Sequence, residues 1–448
     1  MSGPKAFRIV TRAEIISICR RNLARLDAAI EIWTSTCQRN GTIDQSDIDR
    51  VIARRDEIRR MLDTDRFTDL QNQVVAEISY LNADTERRAE KAAESAARRK
   101  GDLRRAKSAA QALLAKFEAS RIEIPVDLRR ELMTPAASVE SLNRAVSKGL
   151  MLLQQPDRSE GVTERQRALA DRLDAGDRRL TLEEWISQHG TNDDQALLKV
   201  DKFLGELAGL GIDPSPFSAR IAALEAEPRA RQALVADSLL LDLNSAIKTG
   251  RERARLERDL ADRHAELSEM KSAEAAALRV EIEQAIAKAG SNDQELVKRA
   301  DFLIEAEVRS MAAEERRRAV LEGLASLGYE ISEGMMTAWV SDGRIVLRKP
   351  ANPGYGVELS GGPQTDVMQV RAIGLGNPAD PRDAGRDKDM ETIWCGEFER
   401  LQSLVAQAGG NVSIESARPA GQYPLKVVAD VVAQSADVEV AATRQINR

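Results

Sequence analysis

Between Arg87 and Lys107 nine basic side chains face three acids, Glu90, Glu94 and Asp102. Arg87, Arg88, Arg98, Arg99, Lys100, Arg104 and Arg105 fall within one unbroken helical pattern, so their charges repeat along a rod. Such a ridge can track a phosphate backbone with an affinity that falls as salt rises and ignores base sequence. No aromatic residue is interleaved, which counts against base stacking on single strands. The competing expectation is that these cations pair with acids on a facing helix, as charges flanking a helical seam do. We take that pairing as the primary reading and nucleic-acid binding as the alternative.

Other chemistry is thinly supplied. Only His189 and His264 are present, one expected at a helix end and one in a charged helix, where capping or solvation is the ordinary role. No Gly-x-x-x-x-Gly-Lys-Ser/Thr loop occurs, so a P-loop ATPase is excluded. Gly374-x-Gly376-x-x-Ala379 follows an expected strand, but Pro378 and Pro381 stand where a phosphate-binding helix would start, and the stretch reads as a loop. A metal-dependent nuclease would need carboxylates at strand ends; Asp342, Glu358 and Asp366 are available, with Lys349 or Arg371 as the basic partner. Their spacing matches no motif, and solvated turn carboxylates account for them. We therefore assign no catalytic, cofactor-binding or metal-ligating residue and expect no cofactor. Trp339, Tyr355 and Trp394 are candidate anchors for a protein partner, weighed against burial in a core.

The element that carries the basic ridge also organises the chain. From Phe67 to Phe117 no Pro occurs and Gly101 is the only Gly. Val75, Ile78, Asn82, Thr85, Ala89, Ala92, Ala96, Arg99, Leu103, Ala106, Ala110, Leu113 and Phe117 step alternately by three and four, the spacing of a coiled-coil seam. At 1.5 Å per residue this predicts a rod of roughly 75 Å. Ahead of it, Phe7, Ile9 and Val10 suit a strand or a docking segment. Thr11 with Glu14 forms a capping box for a helix ending at Asn40-Gly41, and a second helix spans Ser46 to Leu62. A second long helix is expected from Pro228 to Ala289, with Leu256, Leu260, Leu267 and Met270 in register and a slip near Leu278. The two rods are expected to pack side by side within one chain.

Between the rods, Pro125, Pro135, Pro214 and Pro216 break the pattern into short helices, including Ser138 onward, Thr163–Leu173 and Thr181–His189. The segments Gly190–Leu204 and Gly290–Leu303 agree at eight of fourteen positions with one deletion. We read this as two similarly capped helix starts in preference to a duplicated module.

Past Leu327-Gly328 the pattern changes period: 14 of the 27 glycines lie between Gly328 and Gly421. Met336–Val340 and Arg344–Arg348 around Asp342-Gly343 read as a hairpin, Tyr355–Leu359 and Val367–Leu375 as strands, and Val412–Glu415 as a last strand. Asp389–Ala408 reads as a helix with Met390, Ile393, Trp394, Phe398, Leu401, Leu404 and Val405 on one face.

The expected fold is thus mostly α, with long antiparallel coiled-coil helices, a helical middle block and a small C-terminal α+β domain. The expected domains are 1–120, 121–227, 228–290 and 291–417, followed by a tail, 418–448. Net charge is −6, with 66 basic and 72 acidic residues interspersed, so no global polyanion affinity is implied. Cys19, Cys37 and Cys395 are too dispersed for a disulfide framework or a metal knuckle. No signal peptide or spanning segment is read, and a cytoplasmic bacterial protein is expected. The function this points to is a scaffold or adaptor, an accessory subunit beside a separate NTPase or effector in chromosome maintenance or phage defence. Its partners would be proteins, with homo-oligomerisation through the coil and nucleic acid as further options, and no membrane.

Overall fold

A computed structural model describes residues 4–134, 138–153, 181–189, 195–226, 229–288, 294–362 and 366–429. The expected helix Thr163–Leu173, the first residues of both echo segments and the tail beyond 429 lie outside the described residues. Thirteen helices and six strands are formed among the described residues. They gather into two compact units: Met1–Ala28, Ala53–Glu77 and Asp259–Arg448 make one, and Ala29–Ile52 with Ile78–Arg258 make the other.

The first unit holds the sheet. Its strands are β1 (Lys5–Val10), β2 (Arg344–Arg348), β3 (Tyr355–Ser360), β4 (Val367–Leu375), β5 (Asn411–Ala417) and β6 (Lys426–Val428). The order is β2-β3-β4-β1-β5, every neighbour antiparallel, and β6 adds in parallel to the end of β4 that β1 leaves open. The leader is therefore a central strand, with Lys5 opposite both Val370 and Ala417. Phe7 and Ile9 alternate inward beside Leu347, Val357, Leu359, Met368 and Val370. Over this face lie Val320 and Leu324 of the helix Gln294–Ser326 and Trp394, Phe398 and Leu401 of the helix Ala384–Gln407. The result is an antiparallel sheet covered by helices.

One expected hairpin is replaced. Met336–Val340 is not a strand but part of the helix Met335–Asp342. Met335, Met336, Ala338 and Trp339 all reach the core, a helical grouping that also contains alternating residues. Asp342-Gly343 is then a helix stop: Gly343 sits at φ 69° and its amide bonds to the Trp339 carbonyl at 3.0 Å. The hairpin partner of β2 is β3, reached through a turn with Gly354 at φ 81°.

The second long helix is likewise two helices, Arg229–Ser268 and Ala273–Ala287. Ser272 is extended (ψ 153°) and its Oγ accepts from the Ala275 amide at 2.9 Å, so a cap ends the first periodicity and starts the next. The slip at Leu278 is the sequence trace of that restart.

The helix Phe67–Ser120 runs 54 residues without interruption. Its buried positions are Leu70, Val74, Leu81, Asp84, Ala93, Ala97, Gly101, Ala106, Ala109, Ala110, Leu113 and Phe117. The expected seam coincides with these from Ala106 onward. Earlier it falls one residue after Val74, Leu81 and Asp84 and one residue before Ala93 and Ala97, and Val75 is 60% exposed. One position is about 100° of rotation. One of the buried positions, Asp84, is a residue that a hydrophobic count places outside. It is buried because Trp33 Nε1 donates to it at 3.0 Å and Arg88 Nε at 2.6 Å.

In the second unit the packing around this helix is close. A Cβ on Gly205 of the helix Gln195–Gly209 would stand 2.9 Å from the Ala93 Cα. Two apolar cores complete the unit, one joining Ala106–Phe117 to Leu128, Leu142, Val146 and Trp185, the other joining Val200, Leu207, Leu224, Leu239 and Leu243.

Candidate functional site

In the sheet unit, polar groups converge at two places. The first is a shallow cleft between β3 and the helix Ala384–Gln407. Glu397 there accepts from the Tyr329 hydroxyl at 2.5 Å and from Lys349 Nζ at 2.5 Å, and the ammonium also lies 5.4 Å from the Tyr329 ring centroid. Burial, and secondarily the hydrogen bond and charge of Glu397, pushes the Tyr329 phenol well above its usual range. Tyr329 is thus a hydrogen-bond donor at every physiological pH. Beside it Tyr355 donates to Asp387 at 2.8 Å, and Arg382 grips the same carboxylate at 2.9 Å while stacking over the Tyr355 ring. The free volume among these groups is about 10 Å³, enough for about one water.

The second convergence is Glu358, which alternation turns to the sheet face opposite Val357 and Leu359. It is 3% exposed and accepts from Arg371 of β4 at 2.5 Å and from Lys426 of β6 at 2.7 Å. Burial opposes its ionisation, but the hydrogen bonds from Lys426 and Arg371 outweigh it and hold the carboxyl below its ordinary range. The other carboxylates considered for metal chemistry stand apart. Asp366 accepts from Arg316 at 2.6 Å, and Arg316 also holds Glu14 at 2.6 Å. Asp342 is exposed and accepts from the Ser341 hydroxyl at 3.0 Å. Among the described residues no three His, Cys, Asp or Glu side chains form a group able to hold a metal ion. Of the two candidate bases, Arg371 lies on Glu358 and Lys349 on Glu397.

Glu14 shows how local expectation and tertiary demand divide one residue. Its amide bonds to Thr11 Oγ1 at 3.2 Å as a cap requires. Its carboxylate does not complete the box but turns to Arg316. The three proposed anchors are core residues: Trp339 is fully buried, Trp394 is 2% exposed and Tyr355 is 8% exposed. The indole N–H of both tryptophans is buried with no hydrogen-bond partner among the described residues. Both histidines have local contacts. His189 stacks on Trp185 with centroids 3.7 Å apart, and His264 Nε2 lies 2.8 Å from Glu283.

The basic ridge, in the second unit, separates into two sets. Arg88 and Arg104 turn inward: Arg88 joins Asp84, Asp47 and the Thr42 carbonyl, and Arg104 lies 2.6 Å from Asp201. Burial disfavours the charged form of Asp84, and the hydrogen bonds from Arg88 and Trp33 more than offset this, leaving it depressed. Arg87, Arg98, Arg99, Lys100 and Arg105 are exposed. Arg87 pairs with Asp84, Arg105 with Asp102, and Lys100 reaches Asp201 at 3.5 Å. Sequence reasoning missed Asp84 and the Tyr329–Glu397–Lys349 cluster. Tyr329 follows the Gly328 helix stop and Lys349 follows β2, and nothing local ties either to Glu397, 48 residues beyond Lys349.

No helix among the described residues is long and apolar enough to cross a membrane. Comparison with protein families, with curated proteins and with solved structures finds no match.

Proposed function

We propose that the chain is a non-enzymatic scaffold or adaptor, an accessory subunit of a bacterial cytoplasmic assembly. In this reading its long helices act as coiled-coil arms that set spacing, and the sheet unit docks a protein partner such as a separate NTPase or effector. The division into an N-terminal helical region, a middle block, a second helical arm and a C-terminal α+β region belongs to the same proposal. Its chief support is the state of the acids that could have done chemistry. Glu358, Glu397, Asp366 and Asp84 each meet a cation supplied within the chain. The pairs at Glu358, Glu397 and Asp366 join separate segments, and Asp84 joins its helix to Trp33; the depressed carboxyls of Glu358 and Asp84 are not poised near neutrality as an acid or base.

The test is biochemical. The tagged full-length chain, expressed from its own locus, is expected to retain a protein partner at fixed stoichiometry through size exclusion. The purified chain alone is expected to turn over neither nucleotide nor DNA. Turnover by the pure chain, lost on replacing Glu358 or Glu397, would replace the scaffold with an enzyme.

A further inference from the structure

We propose that the outward cationic stripe of the helix Phe67–Ser120 is a contact site for the phosphate backbone of duplex DNA. Arg87, Lys91, Arg98 and Arg105 are spaced by four, seven and seven residues, which puts them on one side of the helix. Eighteen residues rise about 27 Å, so the stripe offers a cation roughly every 9 Å. Arg99, the next residue round, widens it. All five side chains are exposed.

Of the acids beside this stripe, Glu90 and Glu94 are engaged from the facing side, while Arg87 is paired with Asp84 of its own helix. Lys202 of the helix Gln195–Gly209 donates to both Glu90 and Glu94 at 3.0 Å. The third acid, Asp102, is held by Arg105. Among the described residues Lys91, Arg98 and Arg99 form no ion pair within 4 Å, and Arg98 feels Glu94 only at longer range. Local neutralisation of Glu90 and Glu94 by Lys202 therefore leaves Lys91, Arg98 and Arg99 as the source of a field that the chain's overall charge of −6 conceals.

The occupant follows from what the stripe has and lacks. Duplex DNA carries one phosphate per about 1.7 Å of axis, far denser than the cations, so each cation finds a partner without any fixed register. The absence of aromatics on this face removes the stacking that single strands need. The absence of large apolar residues between the cations removes the insertion that an anionic membrane surface would reward. Binding should be sequence-blind and salt-sensitive.

The experiment uses the full chain and fluorescence anisotropy with a mixed-sequence DNA duplex at about 50 and 200 mM salt. The expected result is binding at the lower salt that falls steeply at the higher. Arg98→Glu/Arg99→Glu should weaken it at least about tenfold and flatten the salt slope by about two released counterions. Arg129→Glu/Arg130→Glu changes the same charge at an exposed place outside the stripe and should lose much less. Circular dichroism and unfolding midpoints of the two variants should match the parent, because neither pair is buried. Absence of duplex binding at low salt overturns the proposal. So do equal losses in the two variants, tighter binding to single strands, or binding only to phosphatidylserine vesicles.

Discussion

The core of the sheet unit is built from large side chains, and the middle of the long helix's buried face, from Ala93 to Ala110, is built from small ones. Phe7, Trp339, Trp394 and Phe398 are each at most 2% exposed in the sheet unit. Along the helix Phe67–Ser120 the corresponding positions are Ala93, Ala97, Ala106, Ala109 and Ala110. An aromatic side chain buries some 150–250 Å² and dominates a core's energetics. An alanine buries little, and its value is that helix backbones can approach each other. The two regions should therefore fail in opposite ways, one on truncation and the other on enlargement.

The largest effect should come from truncation in the sheet unit. Phe398, edge-on to Phe7 with centroids 5.3 Å apart, should cost about 3–5 kcal/mol when replaced by Ala. Urea denaturation with near-ultraviolet dichroism would measure it. A loss under about 1 kcal/mol would mean that this core is not the fully packed one its burial describes.

Next comes a reversal of sign. Replacing a helical Gly by Ala ordinarily gains up to about 1 kcal/mol. At Gly205 the new Cβ would press on the Ala93 backbone at 2.9 Å, and backbone cannot step aside cheaply. Gly205→Ala should destabilise by about 1–3 kcal/mol. A Cβ on Gly396, in the helix Ala384–Gln407, would meet nothing within 4 Å, so Gly396→Ala should stabilise by about 0.5–1 kcal/mol. Both changes raising the thermal midpoint would remove the close-packing half of the contrast.

Acid should weaken both regions through the same chemistry. Asp84 and Glu358 have folded pKa values below their unfolded ones, so their contributions are whole above about pH 4–5 and fade as pH falls through the folded values. The midpoint of the parent chain should drop between about pH 5 and 3, in the range set by those unfolded carboxyl values. Glu358→Gln should flatten that drop, since the titrating group is gone. An unchanged slope would show that the Lys426 and Arg371 bonds do not persist in solution. The smallest effect belongs to the exposed pair Arg12–Asp65, with side chains 46% and 55% exposed. Arg12→Ala should move stability by no more than about 1 kcal/mol.

Local pattern carried much of the architecture. Four strands, the 54-residue helix and the helix bearing Trp394 follow from period and stop signals in their own residues. What it could not carry was partnership between distant segments. Nothing in Lys5–Val10 says that it will insert between β4 and β5, because strand pairing is decided by the edges the sheet leaves open. Met336–Val340 failed because a short apolar run fits either period, and only Gly334 at φ 86° and Gly343 at φ 69° settle it as a helix. The first half of the long seam failed because the buried face lies one position from the expected one, and it includes an aspartate, Asp84, that only its distant partner Trp33 explains. At the basic ridge, charge was visible in the sequence, but which cations turn inward depended on Asp47, Asp201 and Lys202 from other helices.

The account rests on buried carboxylates that hold the fold together in place of doing chemistry, and their replacement tests it directly. Groups kept for catalysis commonly cost stability, so removing them leaves a protein as stable or more so. Unfolded by urea at neutral pH, Glu397→Gln is predicted to lose about 3–5 kcal/mol, because it strands the largely buried Lys349, and Glu358→Gln about 1–2 kcal/mol, because Arg371 and Lys426 remain 40% and 35% exposed. Unchanged or increased stability in both variants would contradict the account and mark these side chains as a working site.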